Sequence, residues 1–316
     1  MTLFADMSEC VKRDESLAAL TSFRLGGLAR WLASPADVNQ VSILLDRCCQ
    51  EAIPFYPLGR GANLLVGDDG VDGLVLHLNT PSFQQVDWAD TSDGGKYAKD
   101  RQVVISVRGG VDMHQLVLNS VRRGLAGLEV LAGIPGTLGG CIRMNAGGRW
   151  GAIADVVCDV TVVNRNGGIV TLTADQVGFA YRTSGLADAV VCEARLKLTP
   201  ADPVRLRQRM MDIWQAKKAT QPLGERSAGC VFKNPIGASA GALVDQAGLK
   251  GMSVGGARVS ELHGNFIVAR EGATAQDVFT LIDQVQTEVV RQSGVELELE
   301  IEVWGRHGSR IRQSVA

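Results

Sequence analysis

The sequence predicts an α+β protein built from more than one domain. Its 316 residues exceed the usual size of a single hydrophobic core. Segments with the two-residue period of strands alternate with segments that have the helical period, and the glycines gather in three clusters, 59–73, 124–151 and 224–256. Clustered glycines indicate places where the backbone turns sharply or lies against a ligand.

The first part of the chain predicts strands grouped around one helix. Directly after Pro35, apolar residues recur at helical spacing at Val38, Val41, Leu44 and Leu45. The predicted elements are, in order, a strand at 29–33, a helix at 36–51, a strand at 55–58, a loop at 59–73 and a strand at 74–78.

Strands and helices alternate again in the rest of the chain. The predicted elements are strands at 103–107, 156–163, 168–172, 190–198 and 297–303, and helices at 112–123, 202–218 and 274–293. Pro200 and Pro203 interrupt this pattern, so we place a domain junction near residue 200. The expected domains are 1–80, 81–200 and 201–316.

Charge and cysteine usage exclude several classes of protein. A formal net charge of -2 provides no global field for nucleic acid or an anionic membrane surface. Residues 1–14 lack the apolar core of a signal peptide, and no run approaches the roughly 20 apolar residues of a membrane span, so we expect a cytoplasmic protein. The seven cysteines form no Cys-x-x-Cys pair, so we expect most of the thiols to be buried, no disulfide framework and no metal site.

Two of the glycine clusters contain loops with chemical meaning. The loop 59–66, with Gly59 and Gly61 around Arg60, offers successive backbone N–H groups as a pyrophosphate site requires, although a plain turn remains an equal alternative. It is neither a Walker loop nor a Rossmann fingerprint. The second loop, 127–147, alternates apolar residues with glycines and includes Pro135, so its backbone can pass under a flat ring or a diphosphate.

Four ordered motifs resemble those of the UDP-N-acetylenolpyruvoylglucosamine reductase (MurB) family. They are LGRGANLLVGD at 58–68, GLEVLAGIPGTLGGCIRMNAG at 127–147, YRTS at 181–184 and SAGCVFKNP at 227–235. The resemblance extends over about 21–305, and the short interval between the last two motifs is similar to the compact subtype without an extra tyrosine loop.

The resemblance implies a fold and a reaction. The fold would be the FAD-binding fold of the vanillyl-alcohol-oxidase (PCMH) type in two subdomains, 1–80 and 81–200, followed by an α+β substrate-binding domain at 201–316. The reaction would be the NADPH-dependent reduction of the enolpyruvyl ether of UDP-N-acetylglucosamine to UDP-N-acetylmuramate, in peptidoglycan precursor synthesis. FAD and NADPH are the implied cofactors and a UDP-sugar is the implied substrate, whereas the oligomeric state stays open.

The resemblance also assigns the flavin contacts. Those expected at the pyrophosphate are Arg60, Gly61, Ala62, Asn63 and Leu64, and those expected at the flavin and ribityl chain are Ile134, Pro135, Gly136, Thr137, Gly139 and Gly140.

Three residues match the family's catalytic positions. Arg182, in Tyr-Arg-x-Ser, would stabilise the substrate carboxylate, because hydride addition to an enolpyruvyl group pushes negative charge onto it. Cys230 would protonate the carbon that bears the ether oxygen. Many family members have serine there, but a thiol, with an ordinary pKa of about 8.5, stays mostly protonated at neutral pH and is the stronger acid. Glu300, five residues before Gly305, would assist this acid.

Four further residues are expected to bind substrate. Tyr181 precedes the catalytic arginine, Lys218 (or its neighbour Lys217) would meet the UDP phosphates, and Lys233 with Asn234 would hold the sugar or a phosphate.

Two alternatives to the reductase remain. The first is another FAD-dependent oxidase or dehydrogenase of the same fold, which would not need both Cys230 and Glu300. The second is a non-catalytic flavin or UDP-sugar binding protein, and the cysteine at 230 is the one feature in its favour.

Overall fold

The computed structural model describes residues 3–88 and 102–305. The α-helices are α1 (Val38–Gln50), α2 (Met113–Arg122), α3 (Leu138–Arg143), α4 (Ala174–Val177), α5 (Pro203–Thr220), α6 (Ala240–Gln246) and α7 (Ala275–Ser293). The strands are β1 (Val11–Ser16), β2 (Leu28–Ala33), β3 (Phe55–Leu58), β4 (Leu64–Val66), β5 (Val71–His77), β6 (Val86–Asp87), β7 (Val103–Arg108), β8 (Leu125–Ala126), β9 (Gly147–Gly148), β10 (Gly151–Ala152), β11 (Val157–Asn164), β12 (Ile169–Thr173), β13 (Ala189–Pro200), β14 (Ser253–Val254), β15 (Ala257–Val259), β16 (Ile267–Ala269) and β17 (Glu302–Trp304). Within the described ranges, no helix is long and apolar enough to span a membrane.

The chain forms two compact units, each assembled from separate stretches of sequence. Among the described residues, unit 1 comprises 3–12, 32–59, 74–88 and 102–216, and unit 2 comprises 13–31, 60–73 and 217–305. The division expected from the sequence, 1–80, 81–200 and 201–316, partitions the chain in another way and stays a prediction.

Unit 1 is organised around an antiparallel sheet. The strand order is β12-β11-β13-β7-β6, and β8 also pairs with β13. On β7, Val103, Ile105 and Val107 are buried and alternate with more exposed residues, as a sheet with one covered face requires. Asp112 caps the start of helix α2, because its side chain accepts a hydrogen bond from the backbone N–H of Gln115, and the helix buries Leu116 in the core.

Unit 2 has its core under helix α7. Val278, Leu281, Ile282, Val285 and Val289 are all buried and form one stripe of the helix. They belong to the same core as the antiparallel sheet β14-β15-β16. A second feature of this unit is the parallel pair β4-β17, in which Leu65 lies opposite Val303.

The structure also contains a four-stranded sheet. Its order is β1-β2-β5-β3, and β3 pairs with β5 in parallel. The strands predicted at 29–33, 55–58 and 74–78 correspond to β2, β3 and β5.

The predicted helices at 36–51, 112–123, 202–218 and 274–293 are confirmed as α1, α2, α5 and α7. Three other expectations need correction. The loop expected at 59–73 contains β4 and the start of β5, and the glycine cluster 124–151 contains α3. The strand expected at 297–303 is shortened to β17, because Leu299 makes only an isolated bridge to Phe232.

Candidate active site

The second glycine loop forms one wall of a cleft in unit 1. Gly136 has a φ of 143°, and the chain then enters α3, where Thr137 accepts a hydrogen bond from the N–H of Gly140 at 3.4 Å. The N–H of Leu138 donates to Val111, and that of Gly139 donates to Gly109. Because these three N–H groups already donate to acceptors within the protein, the turn does not form a nest of N–H groups open to an anion.

The cleft contains about 440 Å³ of empty space, a volume that includes open solvent. Its lining combines glycines with aliphatic side chains, among them Gly59, Gly139, Gly140, Leu76, Leu78 and Val191. At Gly140 an added Cβ would have a single neighbour within 4 Å, the Thr137 hydroxyl at 3.6 Å, so the backbone there faces open space. An aliphatic cleft with exposed backbone fits part of a flat, extended cofactor such as FAD.

Glu129 supports this loop and was not identified from the sequence. Its side chain is buried, one carboxylate oxygen accepts from the N–H of Gly127 at 2.6 Å, and the other forms an ion pair with Arg209 at 3.1 Å. The loop is therefore tied to helix α5. Recognising this role requires knowing that Arg209 lies nearby, which no local pattern shows.

Arg182 lies in a strained turn of unit 1. It has a φ of 57°, which is uncommon for a residue with a side chain, and its turn is closed by hydrogen bonds between Ala180 and Thr183. The guanidinium carbon lies 5.2 Å from the ring centre of Tyr181, a residue that is 54% exposed. An exposed aromatic ring beside a partly exposed cationic group is suited to contact a ligand.

Two hydrogen bonds hold this turn against the end of α3. The side-chain amide of Asn145 donates to the carbonyl of Ala180 at 2.9 Å, and the hydroxyl of Ser184 donates to the carbonyl of Arg143 at 2.8 Å. Asn145 itself has a φ of 42°, a conformation that asparagine tolerates better than most residues. The second glycine loop and the turn that carries Arg182 are thus parts of one hydrogen-bonded structure.

The first glycine loop lies in unit 2 from Arg60 onward. Gly61 has a φ of 59°, and a Cβ there would lie 2.7 Å from Cα of Thr21 and overlap the Leu20 carbonyl. Asn63 uses its side-chain amide to donate to the carbonyl of Glu300 at 3.0 Å. At the loop's far end, the carboxylate of Asp68 accepts from two N–H groups in the first turn of α7, a contact that the sequence did not reveal.

Cys230 and Glu300 lie on neighbouring segments of unit 2. The N–H of Glu300 donates to the carbonyl of Val231 at 2.8 Å, and the N–H of Lys233 donates to the carbonyl of Glu298 at the same distance. Cys230 itself makes a bridge to Phe266 and is partly exposed. The structure therefore brings together two of the three expected catalytic positions, which are 70 residues apart in sequence (300 − 230).

The expected substrate-binding residues of unit 2 differ in their surroundings. Lys218 is exposed, whereas its neighbour Lys217 is buried. Lys233 forms an ion pair with Glu298 at 3.3 Å, and the side chain of Asn234 accepts from the N–H of Ala240 at 3.0 Å. Both of these side chains therefore have structural partners in the protein itself.

The cysteines divide by burial. Cys48, Cys141 and Cys192 are buried, and burial raises the pKa of each thiol to about 12. Cys10, Cys158 and Cys230 are partly exposed and Cys49 is exposed, so the expectation that most of the thiols are buried is wrong, since only three of the seven are buried. Among the described residues, no cluster of His, Cys, Asp or Glu could hold a metal ion.

Two family models match the chain. One is described as an FAD binding domain and matches residues 29–173, and the other is described as the C-terminal domain of UDP-N-acetylenolpyruvoylglucosamine reductase and matches residues 221–304. Together with the cleft, these matches define the protein as an FAD-dependent oxidoreductase.

Similar proteins cover nearly the whole chain. A UDP-N-acetylenolpyruvoylglucosamine reductase 2 from Symbiobacterium thermophilum is 44% identical over 299 residues, which are 94% of this chain and 93% of the relative. A UDP-N-acetylenolpyruvoylglucosamine reductase from Bradyrhizobium sp. is 40% identical over 290 residues, 91% of this chain and 90% of the relative. The crystal structure of MurB from Thermus caldophilus has a TM-score of 0.78 and 37% identity, covering 93% of this chain and 99% of that one. The chain belongs to the UDP-N-acetylenolpyruvoylglucosamine reductase (MurB) family.

Proposed function

We propose that this protein reduces UDP-N-acetyl-3-O-(1-carboxyvinyl)-glucosamine to UDP-N-acetylmuramate with NADPH as the hydride donor. The observation that carries the proposal is the pairing of the Cys230 and Glu300 segments through the 2.8 Å hydrogen bond from Glu300 N to Val231 O. An acid next to an assisting carboxylate suits a reaction that ends with protonation of carbon.

Bound FAD supplies hydride transfer from NADPH to the terminal carbon of the enolpyruvyl group. The protein's task is then to stabilise the negative charge that develops on the adjacent carboxylate. Arg182 has this role in our proposal, because a guanidinium can bind a carboxylate through two parallel hydrogen bonds. The strained backbone at Arg182, held by the hydrogen bond from Asn145 to Ala180, is consistent with a side chain whose direction matters.

Cys230 then delivers a proton from its Sγ to the carbon that bears the ether oxygen. The product gains a hydride and a proton, and the thiolate that remains is reprotonated from solvent. Glu300 assists by orienting the acid and stabilising the enol-like intermediate before the proton arrives. Its backbone is held by two contacts: its N–H donates to the carbonyl of Val231, and its carbonyl accepts from the side-chain amide of Asn63.

The remaining predicted contacts concern substrate binding. Tyr181 and Lys218 are exposed and have the chemistry to stack on a ring and to meet a phosphate. Lys233 already forms an ion pair with Glu298, and Asn234 already accepts a hydrogen bond from Ala240. In our proposal these two residues therefore contribute to substrate binding by fixing the position of the segment that follows Cys230.

The proposed reaction places the protein in peptidoglycan precursor synthesis, and through it in cell wall biogenesis, cell shape and cell division. We infer a cytoplasmic location from the substrates, because a UDP-sugar and NADPH are both cytoplasmic metabolites. A nucleic acid or membrane partner has no support in a chain with a net charge of -2.

The first test is stopped-flow flavin absorbance on protein that NADPH has reduced without oxygen. Mixing with the enolpyruvyl UDP-sugar should reoxidise the flavin rapidly in the wild type. Cys230→Ala should slow reoxidation by at least about a hundredfold, since a positioned acid contributes roughly 10²–10⁴-fold. Cys230→Ser should retain part of the rate. Flavin reduction by NADPH should change less than about twofold in both variants.

The outcomes separate the alternatives. Rapid reoxidation in Cys230→Ala would place the acid elsewhere. A wild type that this substrate never reoxidises would contradict the proposed reaction. The flavin of an oxidase or dehydrogenase of the same fold would instead be reduced by an alcohol or sugar. The flavin of a binding protein would be neither reduced by an alcohol or sugar nor reoxidised by the enolpyruvyl UDP-sugar.

A further inference from the structure

Asn265 is a buried amide that faces the segment carrying Cys230. The residue is 3% exposed. Its side-chain oxygen accepts from the N–H of Phe232 at 2.8 Å, and its side-chain nitrogen donates to the carbonyl of Phe232 at 2.7 Å. Its own carbonyl accepts from the N–H of Val231, also at 2.8 Å. One residue therefore makes three short hydrogen bonds to two consecutive residues.

The opposite edge of the same segment is bound by the chain around Glu300. The carbonyl of Val231 accepts from the N–H of Glu300 at 2.8 Å and from that of Ile301 at 3.4 Å. The segment 230–233 is thus held between Asn265 and 298–301, with Val231 and Phe232 fully buried and Cys230 partly exposed. Because both edges are bound, the position of Cys230 relative to Glu300 depends on both sets of hydrogen bonds.

We propose that Asn265 is a positioning residue that sets the Cys230 thiol for proton delivery. It does not touch the reacting atoms; it acts through the backbone of Val231 and Phe232. This inference rests on the proposed function, in which Cys230 is the acid. An amide suits the role because it carries a donor and an acceptor side by side and can pair with both backbone groups of Phe232.

The test compares Asn265→Ala and Asn265→Ser with wild type, and Ser260→Ala serves as the matched control. Ser260 is on the same loop and is 4% exposed, but its hydroxyl accepts from the N–H of Leu262 and not from the Cys230 segment. The serine variant at 265 keeps one hydrogen-bonding group and provides a milder change if the alanine variant folds poorly.

Two quantities are measured. In stopped flow, NADPH should reduce the flavin of both Asn265 variants at close to the wild-type rate. Reoxidation by the enolpyruvyl UDP-sugar should be about tenfold to a hundredfold slower, because displacing a catalytic group by about 1 Å can lower the rate about 10²-fold. Without substrate, alkylation of Cys230 by N-ethylmaleimide, followed by peptide mass spectrometry, should change at least about threefold, with the exposed Cys49 as internal reference. Ser260→Ala should change neither quantity.

Two results would overturn the inference while leaving the proposed function intact. In one, wild type reoxidises normally and both Asn265 variants match it in reoxidation and in Cys230 alkylation. In the other, both half-reactions fall by the same factor together with loss of bound flavin, which would indicate a general structural role. A wild type that is not reoxidised overturns the proposed function, and the inference with it.

Discussion

Gly61 and Gly148 belong to the two glycine-rich regions but have opposite surroundings. Gly61 has a φ of 59°, and a Cβ there would overlap the Leu20 carbonyl. Gly148 has no atom within 4 Å of a built Cβ. The sequence does not distinguish the two residues, because both are glycines in a glycine cluster. Only the surrounding backbone shows that position 61 requires glycine and position 148 does not.

Gly61→Ala should weaken FAD binding and lower stability by about 1–3 kcal/mol, because the added methyl forces strain into the loop predicted to contact the pyrophosphate. Gly148→Ala is the matched control and should leave both quantities near the wild-type values. FAD titration by flavin fluorescence and thermal unfolding measure the two effects. Equal behaviour of the two variants would contradict a special conformational requirement at Gly61.

At the scale of elements, the start of α7 collects several capping contacts. The Thr274 hydroxyl accepts from the N–H of Asp277, and the Asp277 carboxylate accepts from the N–H groups of Thr274 and Gly256. Hydrogen bonds from the backbone of Thr274 and then of Gly256 lower the pKa of Asp277 below its ordinary 3.8. This helix end is also bound by Asp68, from the end of the first glycine loop.

Replacing Asp277 with alanine should destabilise the protein by about 1 kcal/mol at pH 7, the usual worth of a helix cap. A lowered pKa in the folded state means that the contribution is present above pH 3.8 and is lost as the pH falls below it. The stability difference from wild type should therefore shrink in acid. Chemical unfolding at pH 7 and at about pH 3 measures it.

Asp283→Ala is the control for this experiment. Asp283 is exposed in the middle of α7, and removing it should have little effect at either pH. If the Asp277 variant loses the same stability at both pH values, its effect does not come from the ionised carboxylate.

For the whole molecule, cofactor binding and folding should be linked. Removal of FAD should lower the unfolding temperature by roughly 5–10 °C, because a ligand at a hundred times its Kd stabilises the folded state by about 2.7 kcal/mol. Adding FAD back should restore the temperature. FMN should restore less, since it lacks the diphosphate expected at residues 60–64. Full recovery with FMN would contradict the assignment of that loop.

Most of the individual elements follow from local periodicity. The spacing of Val41, Leu44 and Leu45 is sufficient to predict α1, and the alternation of Val103, Ile105 and Val107 predicts β7. The family follows from short ordered motifs, because close approach of backbone to a ligand leaves a pattern of glycines in the sequence. Periodicity fails at 297–301, where apolar and charged residues alternate in the sequence but Leu299 makes only an isolated bridge to Phe232.

The sequence by itself determined the identities of the chemical groups: an arginine, a thiol and a carboxylate in recognisable motifs, and a set of glycine loops. Only the tertiary structure decided which groups support one another. Asn265 bonds to Phe232 across 33 residues, and Asn63 bonds to Glu300 across 237. The tertiary structure also decided three other features: the division into two units interleaved in sequence, the strained turn at Arg182 and the burial of Glu129. Local patterns record the period of a helix or strand, whereas these contacts depend on how distant segments pack, and that information resides in the fold as a whole.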